Sequence, residues 1–267
     1  MSIYGKLAEI ELRGLQAALV TVIRTQGSVP RHTGSKMIIY ADGKTHGTIG
    51  GGQMESQVTQ AAIEAIGARQ PQRLLYEFRE PEEGDVGVCG GEMEVFVEPI
   101  RIPPKLVVIG AGHVGQAVAH LGHWLGYHVV VCDDRPEFIE ASVVPTADQL
   151  ILCEPGALLE HVELHADTYL VFTTRGVDID LQALPDLLAT QAAYIGVIGS
   201  RRRWETTAQA LSDAGVSEEL IGRVNSPMGL EINAETPEEI AVSIFAEIIQ
   251  RQHGGTGKPM GHHPKNK

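Results

Sequence analysis

The chain has 267 residues, with 34 acidic and 21 basic side chains, a formal net charge of −13 and 43% hydrophobic residues. This length fits one large domain or two modest ones, and the composition excludes a wholly disordered or fibrous protein. The excess of negative charge argues against nucleic acid or an anionic membrane as a partner, because both attract positively charged surfaces.

The first hundred residues have the pattern of a mixed α+β domain. Apolar patterns predict a helix over 3–13, a strand buried on both faces over 15–24, a hairpin over 37–50, a helix after residue 52, and strands over 74–78 and 93–100. We assign the hairpin turn to Asp42 and Gly43, because an Asp-Gly pair between apolar segments is a strong signal for a tight hairpin turn.

Residues 101–104, with the sequence RIPP, predict a boundary between two domains. The two prolines interrupt a helix and cannot donate hydrogen bonds to a β-ladder. We therefore divide the chain into an N-terminal domain (1–100), a linker, a second domain (105–251) and a tail (252–267). The tail is rich in Gly, Pro and Lys, so we expect it to be disordered.

The second domain alternates short apolar strands with segments of helical length. The predicted strands are 105–109, 128–132, 150–153, 169–174 and 194–199, and the predicted helices are 113–126, 178–190, 200–214 and 236–251. Alternation of this kind is typical of a doubly wound parallel sheet with right-handed crossovers.

A glycine motif follows the first of these strands and opens a helix. Gly110, Gly112 and Gly115 match the dinucleotide-binding fingerprint, and Asp133 and Asp134 end the next strand about 20 residues later. The two carboxylates would accept hydrogen bonds from a ribose and repel a 2′-phosphate, which favours NAD over NADP. The alternative is a structural turn that has lost its ligand.

These observations give the fold class as α/β. We expect an N-terminal mixed α+β domain followed by a Rossmann-like, doubly wound parallel sheet.

Two further segments have the pattern of anion sites. Gly50, Gly51 and Gly52 open a helix and could present free backbone N–H groups. Ser200 is a natural N-cap, and Arg201, Arg202 and Arg203 follow it in a first turn where the helix dipole disfavours positive charge. A bound pyrophosphate would explain these arginines, and the alternative is a solvated basic face.

The cysteines indicate a reducing compartment. Cys89, Cys132 and Cys153 are too few and too far apart for a disulfide framework or a CxxC metal clamp. No apolar run reaches 18 residues, and Glu9 and Glu11 interrupt the N-terminus where a signal peptide would be apolar. We therefore expect a cytoplasmic protein.

Cys89 is the cysteine with the most reactive local sequence. Its flanking glycines would leave the thiol accessible and let backbone N–H groups lower its pKa, as in a nucleophile or a soft-metal ligand. The alternative is a small apolar residue packed in a turn. His113 has no partner that would make it a base, and we assign no metal site and no catalytic residue.

Several motifs together resemble the XdhC/CoxI family of molybdoenzyme accessory proteins. GSVPRHTGSKM, GTIGGGQMES and VCGGEMEVFVEPI are similar to its N-terminal domain, and VVIGAGHVGQAVA, VCDDRPEF, YIGVIGSRRR and SPMGLEINAETPEEIAVSIFAEII are similar to its C-terminal Rossmann domain. The resemblance runs through both predicted domains in order.

The resemblance implies a chaperone rather than an enzyme. Such a protein would bind the molybdenum cofactor, in its molybdopterin or dinucleotide form, assist its sulfuration by a cysteine desulfurase, and help insert it into xanthine dehydrogenase or a related molybdenum hydroxylase. The family motifs place Arg31, Gly50, Gly51, Gly52, Glu55 and Cys89 against the cofactor. The chain has Gln53 where many relatives have cysteine. If that cysteine handles sulfur or metal in the relatives, either Cys89 does so alone here or the role is absent.

Two other functions stay open at this stage. One is an NAD-dependent oxidoreductase built on Gly110 to Gly115, for which the sequence offers no acid–base group. The other is a nucleotide-sensing regulator that moves about the linker. The target enzyme and the oligomeric state, including a homodimer, are likewise open.

Overall fold

The computed structural model describes residues 2–78 and 91–261. The chain divides into two compact units, an N-terminal unit that ends at Ile102 and a C-terminal unit that begins at Pro103.

The N-terminal unit is an antiparallel sheet with helices. Its elements are α1 (Ile3–Arg13), β1 (Ala17–Gly27), β2 (Lys36–Tyr40), β3 (Thr45–Gly47), α2 (Gly52–Ala68), β4 (Gln72–Phe78) and β5 (Gly91–Pro99). The strand order is β3-β2-β1-β5-β4. The hairpin predicted at Asp42 and Gly43 is confirmed, since β2 and β3 pair on either side of this turn.

Helix α2 covers one face of this sheet with its apolar side. Met54, Val58, Ala62 and Ala65 are buried and pack against β1, β2 and β5. On the other face, α1 is only 11 residues long and contributes Ile10 to a small cluster.

The two-sided burial expected for the first strand is therefore wrong beyond its beginning. Ala17 and Ala18 are both buried, whereas Ile23 is 38% exposed. The short helix α1 contributes to a cluster that includes Ala17 and Leu19, and the later residues of β1 on that face do not join it.

The C-terminal unit is a six-stranded parallel sheet covered by helices. Its strands are β6 (Lys105–Ile109), β7 (His128–Asp133), β8 (Gln149–Leu152), β9 (Thr168–Phe172), β10 (Tyr194–Val197) and β11 (Val224–Asn225). Its helices are α3 (His113–Trp124), α4 (Leu158–His161), α5 (Val177–Leu188), α6 (Arg201–Asp213), α7 (Glu218–Ile221) and α8 (Pro237–His253).

The strand order confirms the predicted doubly wound fold. The sheet runs β8-β7-β6-β9-β10-β11, with every pair parallel. The chain moves outward from β6 in one direction through β8, then returns to the other side of β6 at β9. This reversal places a crevice at the carboxyl ends of β6 and β9, where open α/β sheets bind ligands.

Both faces of the parallel sheet are buried. One cluster contains Val118 of α3 and Phe245 of α8, and the other contains Leu184 of α5 and Leu211 of α6. The central strand β9 is buried along its whole length. This explains why the strands of the second domain appear in the sequence as continuous apolar runs.

The end of the last helix differs from the prediction by two residues. Helix α8 continues to His253 and ends at Gly254, which has a φ of +67° and caps the helix. Residues 255–261 form neither helix nor strand, and residues 262–267 lie outside the described residues. Within the described ranges, no helix is long and apolar enough to cross a membrane.

The core of the C-terminal unit provides a stability test. Phe172 is fully buried in β9, so Phe172→Ala should lower the free energy of unfolding by about 3–5 kcal/mol, through lost burial and a residual cavity. Leu152 of β8 is 52% exposed, and Leu152→Ala should change it by only about 0.5 kcal/mol. Urea denaturation measures both, and equal effects would contradict the assigned core.

Candidate functional site

The turn between β6 and α3 contains three glycines with different surroundings. Gly110 has a φ of +106°, and a Cβ there would lie 2.8 Å from the carbonyl oxygen of Thr173. A Cβ on Gly115 would lie 1.9 Å from the carbonyl oxygen of Gly110, so α3 packs directly on the turn. A Cβ on Gly112 would meet no atom within 4 Å. The space beside Gly112 is therefore open to a ligand.

The N-terminus of α3 has no side-chain cap. Gly112 is the N-cap residue, so no side chain there accepts a hydrogen bond from the first turn, and the first turn contains no acidic residue. The first N–H groups of a helix lack intrahelical partners and carry the positive end of the helix dipole. This terminus therefore has the donors that a phosphate group requires.

A cavity of about 150 Å³ lies beside this turn, at the carboxyl ends of the central strands. It is lined by Gly110, Gly112, Asp133, Asp134, Arg135, Pro155, Thr173, Thr174, Arg175 and Ile179. The sequence predicted the glycines and the two aspartates of this set. It did not predict Arg135 or Arg175.

The carboxylate of Asp133 is saturated by donors of its own chain. It is 3% exposed, and its Oδ2 accepts hydrogen bonds from the Ala111 N–H at 2.7 Å and from Arg135 Nη2 at 2.9 Å. Its Oδ1 accepts from the backbone N–H of Arg135 at 3.0 Å and from Arg135 Nε at 2.8 Å. Asp133 thus positions the glycine turn, and no acceptor position is left for the ribose that the sequence assigned to it.

Asp134 forms a second ion pair at the cavity. Arg175 Nη1 and Nη2 donate to its two carboxylate oxygens at 2.7 and 2.6 Å. The Arg175 guanidinium holds the pKa of Asp134 at about 2, so the carboxylate is ionised at neutral pH.

The two arginines change the electrostatic prediction for this site. Asp133 pairs with Arg135 and Asp134 pairs with Arg175, so two negative and two positive charges lie together. The expected repulsion of a 2′-phosphate required unpaired carboxylates, and it is removed by this pairing. The preference for NAD over NADP therefore has no electrostatic basis here.

Arg203 differs from the two arginines that precede it. Its Nη2 donates to Asp180 Oδ2 at 2.6 Å and to the Thr174 hydroxyl at 2.8 Å, and Asp180 is fully buried. Burial raises the pKa of Asp180, and the hydrogen bonds from Thr174 and Arg203 act in the opposite direction. The Arg203 side chain thus fastens α6 to α5 rather than binding an external anion.

Ser200 caps α6 as predicted, because its hydroxyl accepts a hydrogen bond from the Arg203 N–H at 3.2 Å. Arg201 and Arg202 are exposed, and neither side chain forms an ion pair within the described part of the chain. None of these three residues lines the cavity beside Gly112. Arg201 and Arg202 are therefore available to an anion or to solvent, the two alternatives that the sequence left open.

In the N-terminal unit, the glycine run at Gly50 is occupied by a carboxylate of the same chain. Glu55 Oε1 accepts hydrogen bonds from the Thr48 hydroxyl at 2.6 Å and from the N–H groups of Ile49 and Gly50 at 2.9 and 3.1 Å. The expectation that Glu55 faces a cofactor is corrected, since its bonded oxygen faces its own backbone.

The hydrogen bonds to Glu55 keep it ionised. Its partial burial acts to raise the pKa, but the Thr48 hydroxyl and the backbone N–H groups outweigh burial and lower the pKa below its ordinary value. The predicted N–H cradle is therefore occupied by an internal anion at Gly50. A Cβ on Gly51 or on Gly52 would meet no atom within 4 Å, so space remains beside the run.

The segment around Pro30 contacts this glycine run at one end and the start of β5 at the other. A Cβ on Gly50 would lie 2.6 Å from Pro30 Cγ, so Pro30 packs closely against the glycine run. The next residue in the chain is Arg31, which is exposed. Gly91, the first residue of β5, pairs with Gly27 and lies against Ser28. Cys89 itself lies outside the described residues.

Other candidate chemistry is limited. His113 is exposed at the start of α3. Over residues 2–78 and 91–261, no three His, Cys, Asp or Glu side chains are arranged to hold a metal ion.

The internal role of Glu55 gives a pH-dependent prediction. Glu55→Gln should lower the free energy of unfolding at pH 7 by about 1–2 kcal/mol, the range for hydrogen bonds to a partly exposed charged group. Because the folded-state pKa of Glu55 lies below its ordinary value of 4.5, this contribution is lost as the pH falls through the folded-state pKa.

The control for this prediction is Glu64→Gln on the same helix. Among the described residues, the Glu64 carboxylate accepts a hydrogen bond only from the Gln60 side chain, at 3.2 Å. Urea denaturation between pH 3 and pH 7 measures both variants. A Glu55→Gln effect that matched the control, or that grew at low pH, would contradict this role.

Two protein-family models match the chain. Residues 106–248 match the XdhC Rossmann domain, and residues 12–78 match the XdhC and CoxI family.

Three curated proteins are similar to the chain. It is 35% identical over 261 residues to the uncharacterized protein YqeB of Escherichia coli (strain K12), covering 96% of this chain and 47% of YqeB. It is 36% identical over 156 residues to a probable xanthine dehydrogenase subunit from Bacillus subtilis (strain 168), covering 58% and 45%. It is 21% identical over 272 residues to the molybdenum cofactor insertion chaperone PaoD of Escherichia coli (strain K12), covering 90% and 85%.

The first two matches span slightly less than half of those relatives. Among solved structures, a xanthine dehydrogenase from Bacillus halodurans matches with a TM-score of 0.51 and 22% identity, over 99% of this chain and 98% of that chain. This likeness concerns the fold. Because the Rossmann match alone covers more than half of the residues, the chain belongs to the XdhC family.

Proposed function

We propose that this protein binds the molybdenum cofactor and assists its insertion into a molybdenum hydroxylase of the xanthine dehydrogenase type. Membership of the XdhC family in both units is the observation that carries the proposal. The name of PaoD, a molybdenum cofactor insertion chaperone, and that of the Bacillus subtilis relative point in the same direction.

The cofactor carries phosphate, and the open N-terminus of α3 fits such a group. The α3 N–H groups have no side-chain cap, and the space beside Gly112 is open. In the N-terminal unit, Glu55 occupies the Gly50 N–H. The exposed Arg31 follows Pro30, which contacts the glycine run, and would donate to an anionic part of the cofactor.

We extend the proposal to a nucleotide in the C-terminal unit, either NAD or the nucleotide half of a dinucleotide cofactor. Phosphate would bind at the Gly112 N-cap, and Asp134 would replace the saturated Asp133 as the ribose acceptor. The paired arginines would accommodate a ligand with or without a 2′-phosphate.

The lining of the cavity favours a binding role over the alternative of an oxidoreductase. Its ionisable side chains are Asp133, Asp134, Arg135 and Arg175, and the structure places all four in ion pairs. A general acid or base needs a group that is free to exchange a proton near neutral pH. None of these four residues meets that condition.

The sulfur step belongs to the proposal through Cys89. A cysteine desulfurase would supply sulfur to the bound cofactor, and Cys89 is the cysteine that the family motif places beside it. We place this work in the cytoplasm, where free cysteines such as Cys132 and Cys153 persist.

The open space at Gly112 gives a direct test of nucleotide binding. Gly112→Val adds a side chain where no protein atom lies within 4 Å, so the variant should fold normally and bind NAD or NADP at least about tenfold more weakly. Gly67→Val, in an equally open position of α2, should leave binding unchanged. Isothermal titration calorimetry measures all three proteins, and wild-type protein that binds neither NAD nor NADP would refute the proposal of an NAD site.

Cofactor carriage is tested by purification from cells that make the molybdenum cofactor. Wild-type protein should retain molybdenum and pterin, measured by elemental analysis and by pterin fluorescence. Arg31→Ala should retain several-fold less, because an exposed cation beside the glycine run is lost.

The matched control is Arg13→Ala, which removes an exposed arginine that pairs with Glu9 on α1. Folded wild-type protein without molybdenum and pterin would refute the carrier role. Equal retention by both arginine variants would exclude Arg31 from the site.

A further inference from the structure

Two cysteines that are distant in the sequence meet at the carboxyl ends of β7 and β8. Cys132 belongs to β7, and Cys153 directly follows β8. Because these strands are parallel neighbours, the two Sγ atoms lie 3.1 Å apart. Both are free thiols.

The two thiols differ in access. Cys132 is fully buried, and Cys153 is partly exposed. Burial raises the pKa of both groups, so each is a thiol rather than a thiolate near neutral pH. Within the described residues no third ligand completes a metal site around them. A small oxidant from solution would reach Cys153 first.

Backbone hydrogen bonds link this pair to the glycine turn. The carbonyl oxygen of Cys132 accepts a hydrogen bond from the Gly110 N–H at 2.8 Å, and the Cys153 N–H donates to the Asp133 carbonyl oxygen at 3.2 Å. The Asp133 carboxylate in turn holds the Ala111 N–H at 2.7 Å. A movement of either cysteine therefore acts on the residues that hold Gly110 and Ala111.

We propose that Cys132 and Cys153 are a reversible oxidation site that forms a disulfide with peroxides and thereby changes the glycine turn. The two Sγ atoms, 3.1 Å apart, need to approach by about 1 Å to reach the S–S bond length of about 2.05 Å.

The reaction is a two-electron oxidation of the protein by hydrogen peroxide. The Cys153 thiol loses its proton, and the resulting thiolate attacks one peroxide oxygen, which breaks the O–O bond and gives a sulfenic acid and hydroxide. The hydroxide takes up the released proton to form water. The Cys132 sulfur then attacks Cys153 Sγ, forms the S–S bond, loses its proton and releases a second water. A dithiol reductant returns both thiols by thiol–disulfide exchange.

The site is tested in the full chain with Cys89→Ser, which leaves only these two thiols. Hydrogen peroxide should convert two titratable thiols to none, with a mass decrease of about 2 Da that dithiothreitol reverses. Added Cys153→Ser should prevent this decrease and leave the buried Cys132 unreactive in the folded protein. Non-reducing peptide mapping of oxidised wild-type protein should find the Cys132–Cys153 linkage. This measurement tests the disulfide without the variants if one of them fails to fold.

Mass increases of about 16 or 32 Da on separate cysteines, or two thiols that persist under peroxide, would overturn the site. The coupling is read from hydrogen exchange of the Gly110 and Ala111 amides, which should change several-fold on oxidation. A disulfide that left their exchange unchanged would overturn the coupling.

An effect on ligand affinity rests additionally on the proposed nucleotide binding. The oxidised protein could show the disulfide and the altered hydrogen exchange at Gly110 and Ala111 while the reduced protein binds no dinucleotide. That result would refute the proposed nucleotide site and leave the oxidation site supported.

Discussion

The carboxylate of Asp133 connects the parts of the C-terminal unit that form the candidate site. Asp133 is the last residue of β7. Its carboxylate accepts one hydrogen bond from the Ala111 N–H in the glycine turn and three from Arg135. A buried carboxylate of this kind is costly unless its acceptor positions are filled. Because they are filled, the turn is fixed while the α3 N-terminus remains open. In the sequence, Asp133 has the pattern of a ligand-binding residue. In the structure, it instead positions the glycine turn, where a ligand can bind.

Glu55 has a similar role in the N-terminal unit with a different outcome. Its carboxylate also bonds to backbone N–H groups of a glycine-rich turn, but these are the groups that an external anion would use. Helix α2, like α3, begins at a glycine N-cap without a side-chain cap. The two motifs differ because Glu55 lies in the first turn of α2 and accepts hydrogen bonds from the Ile49 and Gly50 N–H groups, whereas the first turn of α3 contains no acidic residue.

The charges at the edge of the parallel sheet are balanced in pairs. Asp134 and Arg175 pair across 41 residues of sequence, and Arg203 pairs with the buried Asp180. Such pairs fix the relative positions of neighbouring loops, and removal of one partner would leave an uncompensated charge. The net negative charge of the chain therefore does not make the candidate binding site negatively charged. The cavity beside Gly112 is polar and close to neutral.

The sequence by itself determined most of the fold. The alternation of apolar strands and helices, the glycine fingerprint and the Asp-Gly turn are local signals, because strand pleat, helix period and turn geometry extend over only a few residues. The extent of burial along β1 did not follow from its own residues, since it depends on how far α1 reaches across the sheet.

The chemistry of the site was decided by tertiary structure. Whether Asp133 faces a ribose or its own chain depends on where the Arg135 side chain and the Ala111 N–H lie. The approach of Cys132 to Cys153 depends on β7 and β8 being neighbours in parallel register. Hydrogen bonds and ion pairs require distances of about 3 Å, and residues 20 to 40 positions apart reach them only when strand order, register and side-chain direction are all fixed. The sequence identified candidate residues for the site. The tertiary structure determined which residues form hydrogen bonds and ion pairs with them.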